Sequence, residues 1–472
     1  MATIKERDHK GTQQSTYTIR STHKDRVWQS SVWSIDPIPA TSVYRAAQVL
    51  QEEERFFWQT NDRSLTMVGF GAAFTIAPEH KYLSRFSSVE QQWKRFIGKV
   101  DTSVLPYGTG PLLFGGFSFF EEPSSNDAWQ TFGAASFIVP KFMYTESDGK
   151  AYWTETVVAP TELLQHHIQD QDELSVKCWS TLVNREEKKD LPHLVQEENP
   201  CGEEWKSVVK RATNAMEEGN FNKVVLAREQ QLTFSDNMDV ATVLRNLSEE
   251  QQNSFVFSYA KGDHSFMGAT PERLIRKNGN RVYSHAIAGT MPRGETLQGD
   301  FQLGDWLLQD VKNGQEHAYV VELIQSVFES LCEDVVVAES PSLLKMKHVQ
   351  HLHTPIQGTV TDSATLLPFV EKLHPTPALG GSPRPEALQF IREHEPLDRG
   401  WYAGPIGWVD MNGNGEFVVA IRSARINRNE AVLYAGCGIV SDSTPVEEWD
   451  ETLVKLKPMR TSLGVGGDLR GE

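Results

Sequence analysis

Two of the four Asn-Gly pairs in this chain constrain its fold more than any other feature of the sequence. Asn278-Gly279 and Asn412-Gly413 are typical of the tight turns that join adjacent antiparallel strands. Around them the residue pattern predicts helix, strand, hairpins, helix and hairpins again, an order that indicates an α+β fold with largely antiparallel sheets. A parallel, doubly wound fold fits this order poorly. The sequence also contains no G-x-G-x-x-G and no P-loop motif, so nucleotide binding is not indicated.

Three elements of the C-terminal half can be placed from their periodicity. Apolar residues at helical spacing predict a helix over 205–216 that ends near Gly219. An apolar run predicts a strand over 223–228, and a second helical pattern extends over roughly 305–331. On that long helix an apolar stripe begins with an acid, Glu316. Because a carboxylate on the core side of a helix usually has a cation nearby, we expect a basic partner for it.

The charge of the chain restricts its partners. The 472 residues include 63 acidic and 46 basic side chains, a formal net charge of −17. This balance argues against binding of nucleic acid or of an anionic membrane surface. No apolar run approaches the ~18 residues of a membrane span. The four cysteines form no C-x-x-C pair, which predicts a cytoplasmic protein without structural zinc or disulfides.

We expect three regions along the chain. Residues 1–25 are polar and are expected to be disordered. Residues 26–200 are expected to form an N-terminal α+β region that packs on the core. The polar stretch 184–204 indicates a surface linker. Residues 201–462 form the C-terminal region, in which the functional motifs lie.

The segment 444–455 is a local candidate for a functional site. Thr444 is followed by a proline and, three residues on, by a glutamate, a pattern typical of a capped helix start. On this helix Glu448, Glu451 and Lys455 share one face. Such a face is often no more than a solvated helix surface. Beside the glycines that precede it, however, it could hold a cation and an acidic small molecule together.

Eight motifs connect this helix to the rest of the C-terminal region. They are K-V-V-L-A-R at 223–228, G-A-T-P-E-R-L at 268–274, A-I-A-G-T at 286–290, E-H at 316–317, V-Q-H-L at 349–352, H-P-T-P-A-L-G-G at 374–381, I-R-S at 421–423, and the segment from 435 to 455. Together they resemble the chorismate-utilising enzymes, a family that includes anthranilate, aminodeoxychorismate, salicylate and isochorismate synthases. The resemblance covers roughly residues 202–457. It implies a large two-sheet antiparallel β-sandwich with helices outside.

The resemblance assigns the chemistry to two residues. Conversion of chorismate to isochorismate adds water at C2 and expels the C4 hydroxyl, which needs a base and an acid. Lys223 matches the general base of isochorismate and salicylate synthases, and Glu272 matches the general acid. Glu272 would have to stay protonated near neutral pH, so we expect burial to raise its pKa. Aminodeoxychorismate synthases tend to carry a nucleophilic lysine where this chain has Ala288.

The resemblance also implies a metal site and a substrate pocket. Family members place Mg²⁺ on the ring carboxylate; here Glu316 and Glu451 match direct ligands, and Glu448 matches a ligand that acts through water. Arg422 and Lys455 match residues that bind carboxylate. The remaining matches to substrate-binding positions are Gly289, Thr290, His351, Ala378, Leu379, Tyr402, Ile421, Tyr434 and Gly436. Simple core packing is an equally good interpretation of the apolar members of this set.

Four functional hypotheses stay open at this point. An Mg²⁺-dependent isochorismate synthase is favoured, and the long N-terminal region resembles members of the menaquinone pathway. A salicylate synthase would use the same residues and add a lyase step. An ammonia-using, anthranilate-synthase-like subunit is disfavoured by Lys223, so we expect no glutamine amidotransferase partner. A non-catalytic binding protein with this fold is the fourth. We expect the protein to be a monomer.

Overall fold

The structure is a computed structural model that describes residues 2–6, 15–23, 26–78, 83–98, 105–122, 127–168, 175, 189–346, 349–361 and 364–466. Its strands are β1 Ala2–Glu6, β2 Ser15–His23, β3 Arg26–Ile35, β4 Glu54–Gln59, β5 Leu65–Ile76, β6 Leu112–Phe117, β7 Ala135–Ser147, β8 Lys150–Pro160, β9 Leu194–Glu198, β10 Lys223–Phe234, β11 Phe255–Lys261, β12 His264–Thr270, β13 Arg273–Asn278, β14 Arg281–Pro292, β15 Asp334–Val337, β16 Ser342–Lys345, β17 Val349–Thr359, β18 Gly381–Ser382, β19 Pro405–Asp410, β20 Gly415–Val419, β21 Ser423–Asn427 and β22 Glu430–Ile439. Its helices are α1 Ala40–Val49, α2 Arg85–Ile97, α3 Asp127–Gln130, α4 Gly202–Glu217, α5 Val240–Glu250, α6 Leu297–Gln309, α7 Val311–Leu331, α8 Leu367–Leu373, α9 Arg384–His394 and α10 Pro445–Ser462.

The strands form two antiparallel runs that meet at β7. One run passes from β5 through β4, β11, β12, β21 and β22 to β10. The other passes from β6 through β19, β20, β13 and β14 to β17. Strand β7 pairs with both β5 and β6, and the sheet folds back on itself. The rings of Phe56 and Phe114 therefore stack across the interior, 4.1 Å between centroids, and the predicted two-sheet α+β sandwich is confirmed.

Successive side chains of a strand point to opposite faces of the sheet. One face packs in the interior, and the other face is apolar as well and is covered by helices. Leu244 of α5 and Leu456 of α10 pack with Met267 of β12 in one outer cluster. Val224 of β10 and Cys437 of β22 pack against α4 and α9 in another. Within the described residues no helix is long and apolar enough to span a membrane.

The N-terminal and C-terminal regions share one hydrogen-bonded sheet. Strand β4 pairs with β11 from Gln59 opposite Val256 to Glu54 opposite Lys261. Strand β6 pairs with β19 in the same manner. Residues 26–200 thus contribute strands to both runs, in addition to packing against the C-terminal region.

Two segments differ from the sequence-based expectation. Disorder was expected for residues 1–25, but β1 and β2 lie there, and β2 pairs with β3 with Ile19 fully buried. The rest of that stretch, residues 1, 7–14 and 24–25, lies outside the described residues. Within the expected linker, residues 194–198 form strand β9 along the edge of β10, and residues 184–188 lie outside the described part.

The long helix expected over 305–331 is two helices. Helix α7 begins after Asp310, whose carboxylate accepts a hydrogen bond from the backbone N–H of Asn313 at 2.8 Å. Asp310 therefore caps the start of α7 and separates it from α6. The predicted turn at Asn278-Gly279 is confirmed, because Asn278 lies opposite Arg281 in the β13–β14 hairpin.

Candidate active site

The centre of the site is the inner face of strands β10 and β22. Lys223, Val225 and Ala227 point to this face, while the alternate residues pack under α4 and α9. Opposite them in β22 are Gly436 and Gly438. A Cβ at position 438 would lie 2.8 Å from Cε of Lys223. Gly438 therefore leaves room for the lysine side chain.

Lys223 forms an ion pair with Glu316 of helix α7. The lysine is 9% exposed. The stripe that follows Glu316, with Val320 and Ile324, is buried against the sheet. This contact places the acid on the core side of its helix beside a cation, as the pattern predicted.

Helix α10 brings its charged face to the same strands. Thr444 caps the helix, accepting a hydrogen bond from the N–H of Glu447 at 3.4 Å. Nζ of Lys455 lies 2.7 Å from Oε1 of Glu451 and donates to the carbonyl oxygen of Gly436 at 2.9 Å. The predicted helix start is confirmed, and its charged face lies beside β22, although the Glu451 side chain is still 47% exposed.

Glu272 lies in the turn between β12 and β13, partly buried, with its backbone N–H donating to Oγ1 of Thr270 at 3.2 Å. Desolvation of the carboxyl raises its pKa to about 7, against the opposing charges of Lys223, Lys455 and Arg422. The carboxyl is thus influenced by three cations and is still about half protonated at neutral pH. This is the raised pKa that the role of general acid requires.

Arg422 connects β20 to β21 in a left-handed backbone conformation, with φ of 51°. Such a conformation is costly for a residue with a long side chain, and it is retained where the surroundings enforce it. Its carbonyl oxygen accepts a hydrogen bond from the N–H of Ala269 at 3.1 Å. Burial lowers the pKa of the guanidinium, while the charges of Tyr402, Glu451 and Glu272 act to raise it. At neutral pH the side chain remains a cation.

His351 forms the side of the site where β14 and β17 pair. Its Nδ1 lies 3.2 Å from the carbonyl oxygen of Gly289 and 3.1 Å from Oγ1 of Thr290. Burial, with the charges of Arg422 and Lys455, lowers the pKa of His351 to about 4, so the imidazole is neutral at physiological pH. Gly289 has φ of +70° at a register shift in β14, which turns Thr290 towards the histidine.

The three candidate metal ligands contact other groups in this structure. Within the described part of the chain, no three histidine, cysteine or acidic side chains are grouped as a metal cage. Oε1 of Glu448 accepts a hydrogen bond from Oγ of Ser443 at 2.6 Å. Its Oε2 is buried and has no nitrogen or oxygen donor among the described residues, and the thiol of Cys437 also interacts with this carboxyl. Burial, with the nearby charge of Glu451, raises the pKa of Glu448.

This set of donors fits Mg²⁺. Carboxylate oxygens are hard ligands, and Mg²⁺ commonly uses few protein ligands and retains waters. A cation, or a water bound to one, would satisfy the buried Oε2 of Glu448. Burial acts to raise the pKa of Glu451, but Lys455 and its other cationic neighbours hold it below the usual range, so the group stays ionised.

The five remaining candidates are largely buried side chains of the core. Tyr402 and Tyr434 stack at 5.5 Å between ring centroids, and both belong with Leu379 to the main core. Ala378 and Ile421 pack against that core. Core packing accounts for all five. Tyr402 also approaches the backbone of β22, since a Cβ at position 436 would lie 3.1 Å from its hydroxyl.

One buried ion pair beneath the site is absent from the sequence-based prediction. Glu395 and Arg399 are each 1% exposed and lie 2.6 Å apart. Glu395 accepts a hydrogen bond from the N–H of Ala227 at 2.7 Å, and Arg399 donates to the carbonyl oxygens of Val225 and Leu379 at 2.7 and 3.1 Å. The only sequence signal was an acid and an arginine four residues apart, which is usually a surface pair. Here the pair joins β10 to the segment that carries Leu379.

The fold and the site together match a known class of protein. The family profile described as "Chorismate binding enzyme" matches residues 13–464. The chain therefore belongs to the chorismate-binding enzyme family.

Individual relatives resemble the chain over most of its length. Isochorismate synthase MenF of Bacillus subtilis is 38% identical over 443 residues, covering 93% of this chain and 93% of that protein. The salicylate biosynthesis isochorismate synthase of Pseudomonas aeruginosa is 34% identical, covering 93% of this chain and 90% of that protein. The solved structure of MenF, the menaquinone-specific isochorismate synthase from Escherichia coli, matches with a TM-score of 0.78 and 29% identity, covering 92% of this chain and 94% of that chain.

Proposed function

We propose that this protein is an isochorismate synthase. The observation that carries the proposal is the meeting of Lys223 and Glu272 in one site, with the pKa of Glu272 raised to about 7 by desolvation. Two relatives named as isochorismate synthases each match 93% of the chain. The activity is an isomerisation in which no atoms are gained or lost.

Lys223 and Glu272 have opposite roles in the proposed reaction. Lys223, in its neutral form, takes a proton from the water whose oxygen bonds to C2 of chorismate. Glu272 donates its proton to the C4 hydroxyl, and the C4–O bond breaks with loss of water. The ring double bonds shift as the new bond forms and the old one breaks. Between turnovers the two groups return to their starting protonation states through solvent.

The remaining charged groups bind and orient the dianionic substrate. Arg422 and Lys455 are the cations available for its carboxylates, and a guanidinium can contact both oxygens of one carboxylate. Glu316 and Glu451 would hold Mg²⁺, with Glu448 acting through a water. Bound there, Mg²⁺ would neutralise charge on the ring carboxylate. We infer that the cofactor is Mg²⁺.

Further proposals concern the setting of the enzyme. We infer that it supplies isochorismate for menaquinone biosynthesis, as its likeness to the menaquinone-specific enzyme of Escherichia coli suggests. We also infer that it acts in the cytoplasm as a monomer. Because water is the proposed nucleophile, no glutamine amidotransferase subunit is needed to provide ammonia.

The decisive experiment is incubation of the purified protein with chorismate and Mg²⁺ in the absence of ammonia, followed by chromatographic identification of products. The proposal expects isochorismate, and no product when EDTA removes Mg²⁺. Salicylate with pyruvate would instead identify a salicylate synthase. Formation of anthranilate only on addition of ammonia would identify an aminating enzyme.

Two variants test the assigned roles. Lys223→Ala and Glu272→Gln should each abolish nearly all turnover, while the far-ultraviolet circular dichroism and the melting temperature show a folded protein. A non-catalytic binding protein would retain its function in both variants. Unchanged turnover in either one would therefore contradict the proposed role of that residue.

A further inference from the structure

Helix α10 is held to the sheet by residues interleaved with its carboxylates. Trp449 directly follows Glu448, and Thr452 directly follows Glu451. The guanidinium carbon of Arg228 lies 3.6 Å from the centroid of the Trp449 ring. Nε of the same guanidinium donates to Oγ1 of Thr452 at 2.7 Å. One arginine therefore contacts α10 one residue away from each of two candidate metal ligands.

Arg228 belongs to the strand that carries the catalytic lysine. Lys223 and Arg228 are five residues apart on β10, so their side chains lie on opposite faces of the sheet. Arg228 is 3% exposed. Its Nη1 donates to Oδ1 of Asn199 at 3.0 Å, and this amide oxygen also accepts from Gln230 at 3.2 Å. The guanidinium of Arg228 is therefore hydrogen-bonded to Asn199 in addition to its contacts with Trp449 and Thr452.

Trp449 is partly buried and makes further contacts with α4. Its ring meets that of Trp205 edge-on at 5.9 Å, and Nζ of Lys206 lies 5.0 Å from its centroid. A Cβ added at Gly202 would lie 3.0 Å from the ring. Through Trp449 and Thr452, α10 is therefore in direct contact with both β10 and α4.

We propose that Arg228 is a positioning residue that sets the placement of the Glu448 and Glu451 carboxylates relative to Lys223. The inference rests on the proposed function, because it relates the contacts of Arg228 with Trp449 and Thr452 to metal and substrate binding. Catalytic and metal sites need their groups held within roughly 0.5 Å of the productive geometry. Residues that orient metal ligands typically change metal affinity by roughly 10- to 100-fold when they are altered.

The test uses substitutions that separate positioning from folding. Arg228→Lys keeps the charge but lacks both the planar face for Trp449 and the Nε donor. Thr452→Val keeps the shape but removes the hydroxyl that Arg228 contacts. Arg211→Lys, on the exposed side of α4, is the matched control for the arginine substitution.

The measurement is the Kd for Mg²⁺ alone, by isothermal titration calorimetry of the full chain, alongside the Mg²⁺ concentration that half-activates turnover. Arg228→Lys and Thr452→Val should each raise both values by roughly tenfold or more, with Arg211→Lys unchanged. Trp449→Phe retains a ring under the guanidinium. It should therefore raise the Kd for Mg²⁺ less than Trp449→Leu does.

The possible outcomes separate this inference from the proposed function. Folded variants of Arg228 and Thr452 that bind Mg²⁺ as the wild type does would overturn the positioning role while the enzyme itself remains active. A wild-type protein that neither binds Mg²⁺ nor converts chorismate would overturn both. If Arg228→Lys does not fold, the positioning role is tested by Thr452→Val and by the comparison of Trp449→Phe with Trp449→Leu.

Discussion

At the scale of single residues, the site depends on what surrounds each charged group rather than on its type. Glu272 and Glu451 both interact with the same three cations, Lys223, Lys455 and Arg422. At Glu272 desolvation outweighs the cations and raises the pKa. At Glu451 the cations together outweigh desolvation and lower the pKa. We propose that these two carboxyls serve different tasks, Glu272 as a proton donor and Glu451 as an anion.

The first prediction concerns the pH dependence of turnover. Because Glu272 must be protonated to donate, kcat/KM of the wild type should fall as pH rises through about 7, the pKa of that carboxyl in the free protein. Glu272→Gln should lower kcat by roughly 10²- to 10⁴-fold and remove this limb of the profile. A basic limb that persists unchanged in the variant would assign the titration to another group.

The same carboxyl predicts a dependence of stability on pH. The folded pKa of about 7 is above the value of roughly 4.3 in an unfolded chain. The folded state therefore holds the proton more tightly, and its advantage is lost as pH rises through about 7. Relative to Glu272→Gln, the wild type should become progressively less stable between pH 5 and pH 8 in urea denaturation. A difference that does not change with pH would contradict the shift.

A third prediction concerns the space beside Lys223. Gly438→Ala would place a methyl group 2.8 Å from Cε and 3.3 Å from Nζ of that lysine, so the amine must move from its position. We expect a loss of kcat of at least tenfold, with a small change in melting temperature. Gly314→Ala is the control, because nothing lies within 4 Å of its added Cβ and alanine is favoured in a helix. Full activity in Gly438→Ala would show that the lysine tolerates displacement.

At the scale of secondary-structure elements, irregular segments are joined to the strands by buried polar contacts. The segment after α9 is held to β10 by Glu395 and Arg399, which satisfy backbone groups of Val225 and Ala227. A buried ion pair stabilises little when compared with an apolar pair, but removal of one partner leaves the other charge uncompensated.

The fourth prediction tests this buried pair. Arg399→Met should lower the free energy of unfolding by about 3–5 kcal/mol, because Glu395 would be left buried and unpaired. The double variant with Glu395→Leu should be less destabilised than the two single effects combined. Urea denaturation of the four proteins completes the cycle. Additive effects would show that the two side chains act independently.

At the scale of the whole molecule, the pairing of strands joins the two halves of the chain. Strand β4 pairs with β11, and β6 pairs with β19. The rings of Phe56 in β4 and Phe114 in β6 stack in the interior. We propose that regions 26–200 and 201–462 form one folding unit although the polar stretch between them suggested a linker.

The fifth prediction follows from this shared sheet. The full chain should unfold in a single calorimetric transition, and a fragment of residues 201–472 should show no cooperative transition, because β11 and β19 would each lose a neighbouring strand. Two resolved transitions, or a fragment that melts cooperatively and binds Mg²⁺, would show that the C-terminal region folds independently.

Much of the fold and of the site is predictable because it depends on residues near one another in sequence. The hairpin at Asn278-Gly279 and the helix start at Thr444 are determined by local backbone preferences and local hydrogen bonds. The strand along 15–23 was missed because its alternation is weak in a polar setting. The break in the long helix at Asp310 was missed because no proline or glycine lies in residues 305–313 to mark it.

The sequence by itself determined the fold class, the chemical types of the site residues and the family, since turn chemistry, periodicity and motif order are all properties of the linear chain. The tertiary structure alone decided how those residues act on one another. The raised pKa of Glu272 requires desolvation in the folded chain, and the contact of Arg228 with Trp449 joins residues 221 positions apart. Such effects depend on distance and burial, which long-range packing sets and no local pattern encodes.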